Sequence, residues 1–377
     1  MKIIHIINGL GDGGAEHTLY KICKYDVSNK HLVISFKMGG KYLPLLKKLG
    51  IKVYCLNANF FSIHKFFFLI KLLKNLKPNL VQTWLVHADF IGGVAARIAG
   101  IKNVFWNVRY SNIEINKTKI VTNLIINILT LLSYFIPQII IINSKASKKI
   151  YQLKGYEKKK LKYIPNGYNF TNLKVSRIES IEFKKKLKIP KQIPIIGYVA
   201  RYDPLKDHLN LLKAISLLSL KGKKFYCLLV GTNINNNIKL VTEIKKLKLS
   251  NYVKLIGPIK NVSIIMDLID VHVQSSKSEG FPNVVAEAMI HKTPCVVTNV
   301  GDSSYIVGKT GWVVPPQNEI KLSNAIKSAF DEIGSKNWSN RGKMAKSRVM
   351  KKFSINKMIK SYNKIWTKGY KKNDKLN

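Results

Sequence analysis

Acidic residues are scarce in this chain: 20 Asp and Glu stand against 64 Lys and Arg in 377 residues, a formal charge of +44. An imbalance of that size raises the question of an anionic partner: nucleic acid, anionic lipid or a phosphorylated substrate. Yet residues 1–190 carry a net +24 and residues 191–377 a net +20, so the excess is spread along the chain. It reads as a chain-wide bias toward Lys, Ile and Asn, with attraction to an anionic membrane surface as a secondary consequence. A nucleic-acid-binding protein would cluster basic residues with interleaved aromatics or carry a reading motif. Neither is evident, and no nucleic-acid partner is expected. Cysteine is also scarce. Cys23, Cys55, Cys227 and Cys295 form no CxxC and sit among apolar neighbours, the pattern of reduced, buried thiols in a cytoplasmic protein. Low-complexity segments and short repeats are missing, and with 46% hydrophobic residues a disordered chain is excluded.

Long uninterrupted apolar runs are missing too. Residues 120–142 come nearest, but Asn123, Asn127, Pro137 and Gln138 interrupt them. Pro137 divides the segment into a buried helix and a buried strand. The N-terminal MKIIHIINGLGDGG is apolar for only a few residues before its glycines, so it reads as a strand, not a signal peptide. The Phe-rich stretch 60–77 alternates apolar residues and lysines at helical spacing. Core packing is expected for most of it, with membrane contact at Phe66–Phe68.

Short apolar runs alternate with helical stretches throughout, which implies parallel βαβ units. Strands are expected at 2–7, 31–36, 51–56, 80–84, 103–108 and 138–143. After the lysine-rich KLKIPKQIP (186–194) the pattern restarts, at 194–200, 224–231, 252–257, 271–274, 294–299 and 312–315. A chain this long exceeds one compact core. The restart predicts two tandem Rossmann-like, doubly wound α/β domains facing a central cleft, 1–185 and 186–351. Ligands of such sheets bind beyond the carboxyl ends of the strands.

The first strand runs into NGLGDGGAE (8–16), where Gly9, Gly11 and Gly14 fit GxGxxG, the dinucleotide fingerprint. A nicotinamide-binding domain also needs an acidic residue near the end of the second strand, and Lys37 stands there. The loop can still offer backbone N–H groups to a phosphate, and the same spacing serves a plain strand–helix turn. In GYVARYDPLKDH (197–208), Arg201 and Lys206 follow a strand end. Two such cations can clamp a diphosphate, Arg by its planar fork and Lys as a point charge. In SSKSEGFPNVVAEAM (275–289), Glu279 and Glu287 flank a Gly280–Phe281–Pro282 turn. Pro282 suits the first position of a helix, which would run over Asn283–Ile290. Two carboxylates and the turn's N–H groups could bind sugar hydroxyls and a phosphate together.

These residues carry a resemblance. EGFPNVVAE (279–287) is similar to the E-x7-E motif of retaining glycosyltransferase family 4, enzymes of the GT-B fold, and Arg201 and Lys206 resemble that family's diphosphate pair. GGAE (13–16) is similar to its N-terminal glycine loop, WLVHADFIGG (84–93) to the segment bearing its active-site histidine, here His87, and IPNGYN (164–169) to its interdomain turn. GDSSYIVGKTGWVVPP (301–316) resembles its closing donor-domain loop. In two places the chain departs from the pattern: Asp207 follows Lys206 where many members have glycine, and Tyr305 stands where an acid is frequent.

The resemblance implies transfer of a sugar from a nucleotide-diphosphate donor, a UDP-sugar, with retention at the anomeric carbon. The acceptor would be a polyprenyl-diphosphate-linked or oligosaccharide molecule of surface polysaccharide biosynthesis, at the inner face of the cytoplasmic membrane. Glu287 would hold the nucleotide ribose and Glu279 the transferred sugar. Gly13, Gly14, Gly280, Phe281, Pro282 and Asn283 would line the donor site. Arg201 and Lys206 would stabilise the leaving diphosphate. No DxD occurs in the chain, so these cations stand in for a metal, and no cofactor is expected. His87 would contact the donor sugar and position the acceptor hydroxyl. Glu16 and Arg109 are acceptor-side candidates, Arg109 with a surface role as its alternative. A C-terminal helix at about 352–370 would cross back to the first domain. The alternatives are an NAD-dependent oxidoreductase using the Gly9–Gly14 loop and a basic nucleic-acid-binding protein.

Overall fold

The computed structural model describes residues 1–57, 62–109, 120–170, 177–190 and 192–374. Residues 60 and 61 of the Phe-rich stretch lie outside them. The chain divides into two units, Met1–Gly167 with Ile355–Asn377, and Tyr168–Ser354.

In the first unit β1 (Lys2–Ile7), α1 (Gly14–Tyr25), β2 (Lys30–Ser35), α2 (Tyr42–Lys48), β3 (Lys52–Cys55), α3 (Ile63–Leu76) and β4 (Leu80–Trp84) follow one another. Then come α4 (Val86–Ile98), β5 (Val104–Val108), α5 (Ile120–Leu132), β6 (Ile139–Ile142), α6 (Lys145–Leu153) and β7 (Leu161–Tyr163). The strands pair in parallel in the order β3-β2-β1-β4-β5-β6-β7. Order reverses between β1 and β4, the point at which doubly wound sheets bind ligands. Alternate side chains of β1 feed two cores: Ile4 and Ile6 pack beneath α3, α4 and α5, while Ile3 and Ile7 face α1 and α2.

The second unit runs α7 (Arg177–Lys186), β8 (Ile195–Val199), α8 (His208–Leu220), β9 (Tyr226–Val230), α9 (Ile238–Lys246), β10 (Val253–Ile256) and α10 (Ser263–Leu268). It continues with β11 (Val271–Gln274), α11 (Asn283–Ile290), β12 (Cys295–Thr298), α12 (Ser303–Val307), β13 (Trp312–Val314), α13 (Glu319–Glu332) and α14 (Lys336–Lys352). Its parallel sheet has the order β10-β9-β8-β11-β12-β13, reversing between β8 and β11. The last helix, α15 (Ile355–Asp374), belongs to the first unit. Met358, Tyr362 and Trp366 are buried in the same core as Ile3 and Ile7, and Trp366 Nε1 donates to Gln82 Oε1 at 2.7 Å.

The expected boundary at 185/186 moves to 167/168. The strand pattern restarts after α7, but α7 itself is tied to the second unit. Ser180 Oγ donates to Asp267 Oδ2 at 3.0 Å, and Phe183 packs on that unit's core. A second correction concerns residues 120–132, expected as a buried helix. α5 buries Ile125, Ile126 and Leu129 but leaves Val121, Leu124, Ile128 and Leu131 exposed along one face, Leu124 and Leu131 by 59% and 65%. Among the described residues no helix is long and apolar enough to cross a membrane.

Candidate active site

The second unit gathers its candidates around the β8/β11 reversal. Beyond β8 the chain passes Arg201 into a 3-10 turn, Pro204–Lys206. Asp203 starts this turn by accepting from the Leu205 N–H at 2.9 Å. Lys206 Nζ then reaches Glu279 Oε1 at 2.6 Å, and Ser276 Oγ donates to the same oxygen at 2.7 Å. A buried tyrosine fixes the lysine's backbone: Tyr198 OH donates to the Lys206 carbonyl and lies 3.3 Å from Ser276 Oγ. Ser275 Oγ donates to the Asp207 carbonyl at 2.9 Å, and the Lys277 N–H donates to the Leu205 carbonyl at 2.8 Å. The loops after β8 and β11 are thus laced together.

Asp207 occupies the left-handed region, φ 50°, the conformation for which glycine is the undemanding choice. Its carboxylate offsets part of the backbone cost by capping α8 through the Asn210 N–H. Arg201 sits apart from Lys206's pair. Its side chain is 69% exposed and bonds Asp203 Oδ2 at 2.9 and 3.2 Å. Burial would raise the Asp203 pKa, but the Leu205 N–H, Arg201 and then Lys206 outweigh it and hold the carboxyl below its ordinary value. Both expected cations are therefore present at the strand end, each held by a carboxylate.

The helix expected over Asn283–Ile290 is α11. Pro282, expected as its first residue, stands one position earlier at the cap, with ψ 103°. Glu287 lies half-buried in the second turn. Phe281 anchors the turn, packing edge-on against Phe353 at 5.4 Å, and Asn283 Oδ1 accepts from Tyr168 OH at 2.7 Å. Gly301 has φ 55°, and a β-carbon there would collide with the carbonyl oxygens of Glu279 and Gly280. Only glycine lets the 301–316 segment lie against the turn, where the Asp302 N–H donates to the Gly280 carbonyl at 2.8 Å. Tyr305, the second departure, packs on Phe353 with Lys352 over its ring.

The first unit places its candidates around the β1/β4 reversal. Gly13 caps α1 without a side chain, and the Glu16 carboxylate folds back against it. His87 is the second residue of α4, and its Nδ1 lies 3.5 Å from Asn8 Nδ2, at the end of β1. Burial, then the charge of Lys37, lowers its pKa, so the ring is neutral at pH 7. Lys37 itself lies against Gly9, a cation where a nicotinamide domain needs its ribose-binding acid.

Arg109 is neither a surface arginine nor aimed outward. Its guanidinium donates to Asn107 Oδ1, Thr18 Oγ1, Asn166 Oδ1 and Tyr362 OH at 2.7–3.2 Å and stacks over Trp84. It ties β5, α1 and α15 together, a framework role that the sequence did not suggest.

Two buried groupings of this unit were missed from the sequence because their members are far apart in it. His5, Cys23 and His31 bring possible metal ligands within 4.8 Å of one another. The hydrogen bonds run against metal binding. Trp84 Nε1–H donates to His5 Nδ1 at 3.2 Å, which leaves the proton of a neutral His5 on Nε2, facing His31 Nδ1 at 3.0 Å. His31 Nε2–H then donates to Asp26 at 3.0 Å. Burial would raise the Asp26 pKa, but bonds from His31, Asn29 and Asn363 overcome it and bring it down to about 2. Asp89 is the opposite case. Burial pushes its pKa up to about 8, against bonds from the Thr83 hydroxyl and the Asn107 N–H.

Comparison with known proteins agrees with this geometry. Residues 179–345 match the family model of glycosyl transferases group 1. The chain is 24% identical over 321 residues to the capsular polysaccharide biosynthesis glycosyltransferase CapH of Staphylococcus aureus, covering 81% of this chain and 83% of CapH. It is 25% identical over 284 residues to the UDP-Gal:alpha-D-GlcNAc-diphosphoundecaprenol alpha-1,3-galactosyltransferase of Escherichia coli, covering 72% of this chain and 73% of that one. In fold it matches the crystal structure of Anabaena HepE in complex with UDP and glucose, with a TM-score of 0.85 at 21% identity, over 98% of this chain and all of the other. Residues 179–345 thus match the group 1 glycosyl transferase model, the whole chain has the GT-B fold, and glycosyltransferase is the enzyme class that these likenesses support.

Proposed function

We propose that the protein is a retaining glycosyltransferase of family 4. It moves a hexose from a UDP-sugar to a lipid-linked or oligosaccharide acceptor in surface polysaccharide biosynthesis. The observation that carries this reading is the Lys206–Glu279–Ser276 cluster at the β8/β11 reversal. Lys206 has three N–H donors and spends one on Glu279, so it can meet a diphosphate while still holding the carboxylate. Arg201, exposed and anchored at Asp203, adds a second cation as negative charge develops on the leaving group. Glu279 is left to accept from hydroxyls of the transferred sugar and Glu287 from the ribose, with N–H groups of Gly280 and Phe281 facing the phosphate. In the first unit a neutral His87, with Nδ1 facing the Asn8 amide, carries its proton on Nε2 and can donate from there to a sugar oxygen. With Arg201 and Lys206 in this role the donor needs no metal, and activity should survive chelation.

The enzyme works at an anionic membrane surface. Phe67 and Phe68 are exposed on α3 beside exposed Lys71 and Lys74, and the apolar face of α5 adds area. Basic residues near such a surface contribute roughly 1 kcal/mol each. A screen of UDP-sugar hydrolysis tests the donor assignment. Glu287→Ala and Arg201→Ala should each lower turnover at least tenfold, and unchanged turnover in both would refute it.

A further inference from the structure

The first unit holds a cavity of about 310 Å³ between α3 and α4, at the carboxyl ends of β2 and β3. Phe36 and Leu56, the residues that follow those two strands, form its inner wall, and eight of its ten lining residues are apolar. Its polar lining is Ser62 and Lys65, on the α3 side. The volume is at the lower end of the range for small-molecule sites. It is not a sealed packing defect, because Ile63, which also lines it, is 71% exposed.

The cavity is continuous with the candidate site along one helix. Phe90, Ile91 and Val94 form its α4 wall, and they lie three, four and seven residues after His87, the spacing of one helix face. In the other direction, Ile63 at the mouth is four residues before Phe67, which is 63% exposed. An apolar track therefore runs from His87 through the cavity to the exposed side of α3. A cation accompanies its His87 end: Lys37 follows Phe36 of the inner wall and lies against Gly9, and its charge is felt at His87.

We infer that this cavity binds the first isoprenoid units of a polyprenyl-diphosphate-linked acceptor. Its diphosphate lies toward Lys37, and the rest of its chain leaves past Ile63, Lys65 and Phe67 into the membrane. This deepens the proposed function and rests on its lipid-linked acceptor. A chain seated in the cavity would hold the acceptor sugar near His87.

Farnesyl diphosphate is the probe, with inorganic pyrophosphate as its control and both titrated against the 377-residue chain. Each buried methylene improves affinity about fourfold, so farnesyl diphosphate should bind at least thirtyfold more tightly than pyrophosphate. Val94→Phe fills the cavity, and Ile63→Glu charges its exposed mouth without touching the core. Each should weaken farnesyl diphosphate at least tenfold, leaving pyrophosphate binding, UDP binding and the melting temperature unchanged. Equal affinity for the two probes, or undiminished farnesyl diphosphate binding by a normally folded Ile63→Glu protein, overturns the assignment. UDP-sugar hydrolysis is scored separately, so failure of the donor reading would be seen apart from failure of this one.

Discussion

Beyond β8 and β11, the second unit leaves its charged groups on loops, where Lys206 meets Glu279 and Arg201 meets Asp203 within reach of solvent. Beyond β4 and β5, the first unit turns its charged groups inward. Arg109 spends its guanidinium on four side chains, and Asp89 is fully buried. What the first unit keeps at its strand ends is an imidazole, a lysine beside a glycine loop and an apolar cavity. The same strand order thus supports two kinds of recognition. One suits a doubly charged, hydroxyl-rich donor, and the other suits a partner recognised by shape and apolar surface.

The sharpest way to break this comparison is Lys206→Ala. If the lysine acts on the leaving diphosphate, donor turnover should fall about 10²–10³-fold, the loss seen when one preorganised charge-stabilising donor is removed. The melting temperature should barely move, since a partly exposed ion pair contributes little to stability. A large drop in melting temperature with turnover intact would make the pair a structural tie, like those of the first unit.

Arg109→Ala should behave in the opposite way. The substitution takes a donor from Asn107, Thr18, Asn166 and Tyr362 at once, and lost buried hydrogen bonds cost about 2–4 kcal/mol here. Thermal unfolding should show that loss, while UDP binding, a property of the other unit, stays at its wild-type value. Weakened UDP binding in protein that remains folded would mean that the two units do not divide the work as described.

This asymmetry also decided what the sequence could reveal. The donor-site candidates lie in short segments next to apolar strands, so Arg201, Lys206, Glu279 and Glu287 could be picked out from spacing and a resemblance. Eleven of the twelve expected strands begin and end within a residue of the observed ones, and β11 is residue-for-residue Val271–Gln274; β7, Leu161–Tyr163, gave no signal because lysines precede and interrupt it and only Leu161 is buried. The supports were not legible. Tyr198 holds Lys206 and Ser276 holds Glu279 over eight and three residues, but the cluster forms only because Tyr198 meets Ser276 and Lys206 meets Glu279 across 78 and 73 residues, and nothing in their local context marks them. Arg109 looked like any arginine after a strand, because its partners come from α1, the segment before residue 167 and α15. α5 was expected to be buried because its composition is apolar all round, and composition does not say which face lacks a neighbour.

Asp89 gives the comparison its most delicate test, because here the first unit's habit of burying charge has a measurable cost. In the unfolded chain its carboxyl ionises near pH 3.9, while in the folded protein the pKa is about 8. Between those values the unfolded state has released a proton that the folded state still binds. Stability must therefore fall as pH rises through this window. By pH 8 the effect is on the order of 2–4 kcal/mol, after allowance for relaxation around the buried group. The Asp89→Asn side chain cannot ionise and keeps an acceptor for the Thr83 hydroxyl, which donates to Asp89 at 2.5 Å. This variant should thus melt several degrees above wild type at pH 8, with the gap closing toward pH 4 as the carboxyl becomes protonated in both states. Melting curves at the two pH values decide it. A constant gap would mean that Asp89 is ionised in the folded protein and that its burial is compensated by more than Thr83 and the Asn107 N–H.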